Sequence, residues 1–166
     1  MILYPKIYLN NVKEITLEYL NKNNIKGLIL DVDNTLIDYD EQMLEGTEEW
    51  CNNLKQNSIK FCIVSNSNRT RKVRNVAQKL NIPYINLAFK PSKKGLLKAK
   101  KILNIENKNI AVVGDQIFTD VIGANRCKMH SILVKPIKEK DIFITLIKRP
   151  LENFIIKIYL EKNKNL

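Results

Sequence analysis

Short apolar runs alternate along the chain with longer stretches in which apolar residues recur at helical spacing. Residues 27–30, 59–64, 84–87, 110–113 and 131–134 are near-continuous apolar runs of strand length, the pattern of strands buried on both faces. Between them, residues 43–54, 69–80, 92–103 and 118–127 read as helices. The stretch 69–80 is the clearest, with Val73, Val76, Ala77 and Leu80 at i, i+3, i+4 and i+7. Gly46 weakens the start of the first of these helices, and Ser92 is placed to cap the third. Ahead of the first strand, Val12, Ile15, Leu17, Tyr19 and Leu20 give an imperfect helical pattern over 12–21. Strands alternating with helices predict βαβ units, hence a three-layer α/β/α, Rossmann-like parallel sheet. No internal repeat, low-complexity tract or long linker divides the 166 residues. The expectation is one domain, 1–166, with a core over about 25–135 and a C-terminal helical segment over about 141–162.

In sheets of this kind ligands bind beyond the carboxyl ends of the strands. Asp31, Asp33 and Thr35 follow the first strand, Ser65 and Asn66 the second, and Lys90 and Pro91 the third. Gly114 and Asp115 end the fourth, with Asp120 just beyond. Two carboxylates one residue apart at the end of a buried strand are costly. A divalent cation reverses that cost, and Mg²⁺ takes oxygen ligands of the kind Asp31 and Asp115 supply. A carboxylate can attack phosphorus to form an aspartyl-phosphate. A second acid, Asp33, can protonate the leaving oxygen and then activate water. The Ser65 hydroxyl, the Lys90 ammonium and loop N–H groups suit the phosphate oxygens. Taken singly, the same residues have plainer uses. Asp31 and Asp33 could be turn residues, Ser65-Asn66 a turn and cap, Lys90 a loop lysine, and Asp120 a first-turn acid.

In this order, "DVDNT", "VSNSN", "FKP" and "GDQIFTD" resemble the four motifs of the haloacid dehalogenase (HAD) superfamily of aspartate-nucleophile phosphatases. "LYP", "GLILDVDNTLIDYD", "FKPSKKG", "VVGDQIFTDVIGANR" and a late "KRPLE" are similar to the YqeG family of subclass IIIA, itself similar to the mitochondrial phosphatidylglycerophosphate phosphatases. The resemblance implies Asp31 as nucleophile and Asp33 as general acid/base. It implies Ser65 and Lys90 on the phosphate, and Asn66 is expected to bind phosphate with them. Mg²⁺ would sit on Asp31, Asp115 and the Asp33 backbone carbonyl. Asp120 would orient Lys90 or support the metal site, and Thr35 would steady the loop. Lys93 and Lys94 lie close to Lys90, but the Lys-Pro pair favours Lys90. Neither 40–50 nor 81–90 leaves room for an inserted cap domain, so the site is expected to be open.

Net charge changes the picture of the partner. At +11 and a pI near 9.6, the surface attracts nucleic acid, anionic lipid or phosphorylated small molecules. Cys51, Cys62 and Cys127 form no CxxC pair, which points away from disulfides and zinc and toward a cytoplasmic setting. No secretory signal and no apolar span of about 20 residues is visible. In the C-terminal segment Leu151, Phe154, Ile155 and Ile158 share a face, Ile156, Tyr159 and Leu160 broaden it, and Lys157, Lys162 and Lys164 add charge. Pro150 suits its start. Such a helix can lie at the inner face of an anionic membrane, or it can pack on the sheet or a partner subunit. His130 and Trp50 read as structural. The sequence therefore predicts a Mg²⁺-dependent phosphomonoesterase, with phosphatidylglycerophosphate preferred by resemblance. A phosphatase of nucleotides or nucleic-acid ends is the alternative enzyme, although no aromatic stacking motif supports a stable nucleic-acid complex. A non-catalytic membrane or ribonucleoprotein adaptor is the alternative outside enzymes. Oligomeric state is not encoded in any of these features.

Overall fold

The computed structural model describes residues 2–138 and 143–163, with side chains of the last helix described from Arg149 onward. Six strands, β1 (Ile7–Leu9), β2 (Gly27–Leu30), β3 (Lys60–Val64), β4 (Tyr84–Ile85), β5 (Ile110–Gly114) and β6 (His130–Val134), form one sheet. Its order is β1-β6-β5-β2-β3-β4, and every neighbouring pair is parallel. The chain leaves β2 for β3 on one side and later returns to β5 on the other, so the switch point of the sheet lies at the end of β2.

Alternation along the strands divides the core. Leu28, Leu30, Phe61, Ile63, Ala111 and Val113 meet α2 (Thr47–Gln56) and α3 (Thr70–Leu80) through Cys51, Leu54, Val73, Val76, Ala77 and Leu80. Ile29, Cys62, Val64 and Val112 face the other way, against Leu96, Ala99 and Leu103 of α4 (Lys93–Leu103) and Ala124 of α5 (Ile122–Arg126). Strands buried on both faces explain the unbroken apolar runs. A third cluster joins Ile117, Val121 and Leu133 to Ile155 of α6 (Phe143–Asn163). All three cysteines are buried and free.

Several elements depart from the sequence pattern for local reasons. β1 is a half-buried edge strand of three residues, too short to stand out as an apolar run. The helix expected over 12–21 is broken. A 3₁₀ turn over Val12–Glu14 ends at Ile15, and Thr16 then caps α1 (Leu17–Lys22) by accepting from the Tyr19 N–H. α2 starts at Thr47 because Gly46 takes a left-handed conformation, φ 80°. β4 is only two residues long. The helix expected over 118–127 opens with a π turn, Ile117–Val121, before α5. Pro150, expected at a helix start, instead lies inside α6. Anchors on either side of it, Arg149 on Asp115 and Ile155 in the core, outweigh the helix-breaking tendency of the ring. The expected start of this segment near 141 and Lys164 lie outside the described residues.

Between β2 and α2 the chain forms only a small flap, with bridges Asp33↔Ile37 and Ile37↔Met43. His130 and Trp50 are packing residues: the Tyr19 hydroxyl lies 2.6 Å from His130 Nε2, and Trp50 Nε1 donates to the Ile15 carbonyl at 2.9 Å. No helix among the described residues is long and apolar enough to cross a membrane.

Candidate active site

The end of β2 turns sharply. Asp31 still donates its N–H to the Val113 carbonyl at 2.9 Å, as a strand residue would. The next carbonyl, Val32, then accepts from the N–H groups of Thr35, Leu36 and Ile37 at 3.2, 3.0 and 3.2 Å, and Asn34 takes φ 59°. Extended residues one apart point to opposite neighbours; this turn is what lets Asp33 leave the strand direction. Asp33 forms an ion pair with Lys72, from the first turn of α3. Thr35 is buried in the turn, with Oγ1 lacking a hydrogen-bond partner.

Lys90 lies at the centre of the site. Its ammonium donates to Asp31 Oδ1 and to Asp120 Oδ1, each at 2.7 Å, and all three side chains are buried. Asn66 fixes Lys90 through its main chain: Asn66 Oδ1 accepts from the Lys90 N–H at 2.7 Å, and Asn66 Nδ2 donates to the Lys90 carbonyl at 2.9 Å. The Asn66 amide, expected on the phosphate, holds the lysine backbone. Ser65, buried at the end of β3, accepts from the Ser67 N–H at 3.1 Å and keeps its own hydroxyl proton to donate.

Asp120 is brought in by the π turn. Its Oδ2 accepts from the Gln116 N–H at 3.1 Å and from the Thr119 hydroxyl at 3.2 Å. The approach to β5 is so close that a Cβ on Gly114 would stand 2.1 Å from Asp120 Cγ; only glycine fits there. Asp115 receives Arg149 of α6, with Nη2 donating to Oδ2 at 2.5 Å and Nη1 to the main-chain carbonyl at 3.2 Å. Glu152, one turn on, accepts from the Phe118 N–H at 3.1 Å and lies 3.7 Å from Arg149. Lys72, Arg149 and Glu152 were not singled out as site residues from sequence. Lys72 is hidden among the basic residues 69–74. "KRPLE" did stand out, but only as a stretch of resemblance.

Electrostatics show what the site can hold. Burial pushes Asp31 up to about 7, with Lys90 pulling it down and Asp120 and Asp33 adding to the rise. Asp115 is pushed up to about 8, first by burial and then by the charges of Asp31 and Asp120, against the pull of Arg149. Burial pulls the Lys90 ammonium down, but Asp120 and Asp31 together raise it above the usual lysine range. Among the described residues, five carboxylates (Asp31, Asp33, Asp115, Asp120, Glu152) face three cations (Lys72, Lys90, Arg149). One oxygen each from Asp31, Asp115 and Asp120 lie within 4.8 Å of one another. Asp115 Oδ1 is buried and has no hydrogen-bond partner. Hard oxygen donors, surplus negative charge and an unpartnered buried carboxylate oxygen fit a small divalent cation.

The model of the family described as "Mitochondrial PGP phosphatase" matches residues 1–138. "Probable phosphatase YqeG" of Bacillus subtilis (strain 168) is 38% identical over 159 residues, covering 95% of this chain and 92% of its own length. Among solved structures, an uncharacterized protein from Listeria monocytogenes serotype 4b superposes with a TM-score of 0.57 at 20% identity, over 71% of this chain and 85% of its own. The cobalt-bound deoxy-D-mannose-octulosonate 8-phosphate phosphatase YrbI of Haemophilus influenzae gives 0.50 at 19%, over 57% and 60%. Those two structures share the fold; the closer relationship is in the sequence. With four strand ends converging on one acidic, lysine-centred site, the chain belongs to the mitochondrial PGP phosphatase family and is a phosphatase.

Proposed function

We propose that the protein removes the terminal phosphate of phosphatidylglycerophosphate, with Asp31 forming an aspartyl-phosphate. The observation that carries this reading is the buried Asp31 carboxylate held by Lys90 at 2.7 Å beside the unpartnered Oδ1 of Asp115. Asp31 attacks phosphorus, and the ester oxygen leaves with a proton from Asp33. Asp33 then takes a proton from the water that attacks the acyl phosphate, releasing inorganic phosphate and restoring Asp31. Its partial exposure in the flap turn gives it access to both proton partners. Ser65, Lys90 and N–H groups of the turn after Asp31 bind the phosphoryl oxygens. Asp31, Asp115 and the Asp33 carbonyl would hold Mg²⁺, which would supply the positive charge that lets one anion approach another. Asp120 keeps Lys90 aimed at Asp31, Asn66 holds the backbone of Lys90, and Thr35 completes the turn.

The lipid substrate is supported by the family and by an uncapped site. Only the small flap separates β2 from α2, and an open site admits a phosphate presented on a surface. The reading places a single-domain protein peripherally at the inner face of a membrane. A phosphatase panel tests it: phosphatidylglycerophosphate, mononucleotides and 3′-phosphorylated DNA, each with Mg²⁺. The expected result is highest kcat/KM on the lipid; preference for nucleotides or DNA ends would overturn it.

A further inference from the structure

The loop between β4 and α4 exposes apolar side chains beside the phosphate site. Phe89 is 73% exposed and Leu87 47% exposed, and they flank the buried Ala88 immediately before Lys90. Both hold left-handed backbone, φ 53° and 49°, a conformation uncommon for bulky residues and kept only when the surroundings impose it. The surroundings do impose it. The Ala88 N–H donates to the Ser65 carbonyl at 3.0 Å, Asn66 clasps Lys90, and Asn86 Nδ2 donates to Thr70 Oγ1 at 2.7 Å. The loop is therefore pinned to the end of β3 and the start of α3 while two large apolar side chains face water. Burial drives neither side chain outward, and the backbone would be easier for asparagine.

The charges around this loop are also unusual. α3 and α4 both start at the carboxyl edge of the sheet, and neither has an acid in its first turn. Exposed Arg69 and Arg71 bracket Thr70, and exposed Lys93 and Lys94 open α4. Cations at helix N-termini oppose the helix dipole, so an external anion is the partner that makes this arrangement favourable. An apolar wedge ringed by cations is the composition of an interfacial membrane contact. The exposed stripe on α6 is a different surface. That helix is tied at Arg149 to Asp115, at the carboxyl end of β5, and at Tyr159 to the Lys6 carbonyl (3.4 Å), at the amino end of β1. It therefore runs down the flank of the sheet, from the carboxyl edge toward the amino edge, with Leu151 and Phe154 exposed on it.

We propose that Leu87 and Phe89, with Arg69, Arg71, Lys93 and Lys94, form a docking face for an anionic lipid bilayer that presents the substrate phosphate to Asp31 and Lys90. The inference rests on the lipid phosphomonoester reading above. It places the leaflet surface at the carboxyl edge of the sheet, with the two apolar side chains at the headgroup–acyl boundary. Lipid phosphates satisfy the cations that open α3 and α4.

The test is co-sedimentation of the full chain with phosphatidylglycerol–phosphatidylcholine vesicles and with phosphatidylcholine alone. Single-stranded RNA binding and thermal unfolding are measured on the same samples. The double variant Leu87→Asn/Phe89→Asn should unfold at the wild-type temperature or higher, because asparagine accepts the left-handed backbone, while losing about tenfold or more in partition onto anionic vesicles. Arg69→Gln/Arg71→Gln should lose anionic selectivity, and Leu151→Gln/Phe154→Gln should bind as wild type. Unchanged vesicle binding in Leu87→Asn/Phe89→Asn would overturn the docking face, as would loss confined to Leu151→Gln/Phe154→Gln, or a wild type that binds RNA and not vesicles. A protein that hydrolyses the lipid while binding vesicles independently of residues 87 and 89 refutes the face alone. One that docks through them but leaves the lipid phosphate intact refutes the substrate reading alone.

Discussion

Arg149 lays its guanidinium across Asp115, reaching Oδ2 at 2.5 Å and the main-chain carbonyl at 3.2 Å while leaving Oδ1 unpartnered. A contact from α6 thereby fixes the rotamer of a carboxylate at the end of β5. Glu152 extends the same clamp to the Phe118 N–H, within the turn that delivers Asp120.

Loss of that clamp should be felt at the metal. Partners that orient a ligating carboxylate typically contribute about 10–100-fold in metal affinity. Arg149→Ala is expected to weaken Mg²⁺ binding, read by titration calorimetry without substrate, by that order. Arg149→Lys keeps the charge but loses the two-point geometry and should fall between. Wild-type affinity in Arg149→Ala would show that the contact only pins the helix.

Lys90 holds two buried carboxylates apart. Removing one partner of a buried ion pair costs about 3–5 kcal/mol, and here it leaves Asp31 and Asp120 facing each other. Lys90→Met should lose phosphatase turnover and should unfold at lower denaturant at pH 8. Mg²⁺ should restore part of the lost stability by supplying the missing charge. Equal stability of variant and wild type at pH 8 would contradict the pairing.

The pH dependence has a definite sign. Asp31 and Asp115 have folded-state pKa values raised to about 7 and about 8. The stability they contribute is fully present below their unfolded values near 4 and is lost as pH rises through 7 and 8. The slope is at most about 1.4 kcal/mol per pH unit for each proton. A divalent cation replaces those protons, so Mg²⁺ should raise the melting temperature more at pH 8.5 than at pH 6. Equal shifts at the two pH values would contradict the buried acidic cluster.

Most of the scaffold was legible because strands buried on both faces write themselves as unbroken apolar runs; β2, β3, β5 and β6 lie where those runs are. β1 escaped because an edge strand of three residues has no such signature. Asp31, Lys90, Asp115 and Asp120 could be singled out because strand ends converge on one edge of a parallel sheet, and the structure brings these four together. Arg149, Lys72 and Glu152 could not be found the same way. They reach the site from helices, and in a chain this rich in lysine and arginine no single cation stands out. The π turn is likewise invisible as a period, although Gly114 beside Asp115 hints at the close approach of Asp120.

That approach gives its own prediction. A methyl on Gly114 would overlap Asp120, and overpacking of this kind costs about 1–3 kcal/mol. Gly114→Ala should lower the melting temperature and, by displacing Asp120 from Lys90, reduce kcat. A variant with wild-type stability and turnover would mean that Asp120 is not held against β5.

The central claim is that Asp31 carries the phosphoryl group. Rapid acid quench of the enzyme turning over a radiolabelled phosphomonoester with Mg²⁺, followed by proteolysis and mass spectrometry, reads it directly. Label on the peptide containing Asp31, and neither label nor turnover in a folded Asp31→Asn variant, is the predicted result. Label on another residue, or turnover retained in Asp31→Asn, would contradict it.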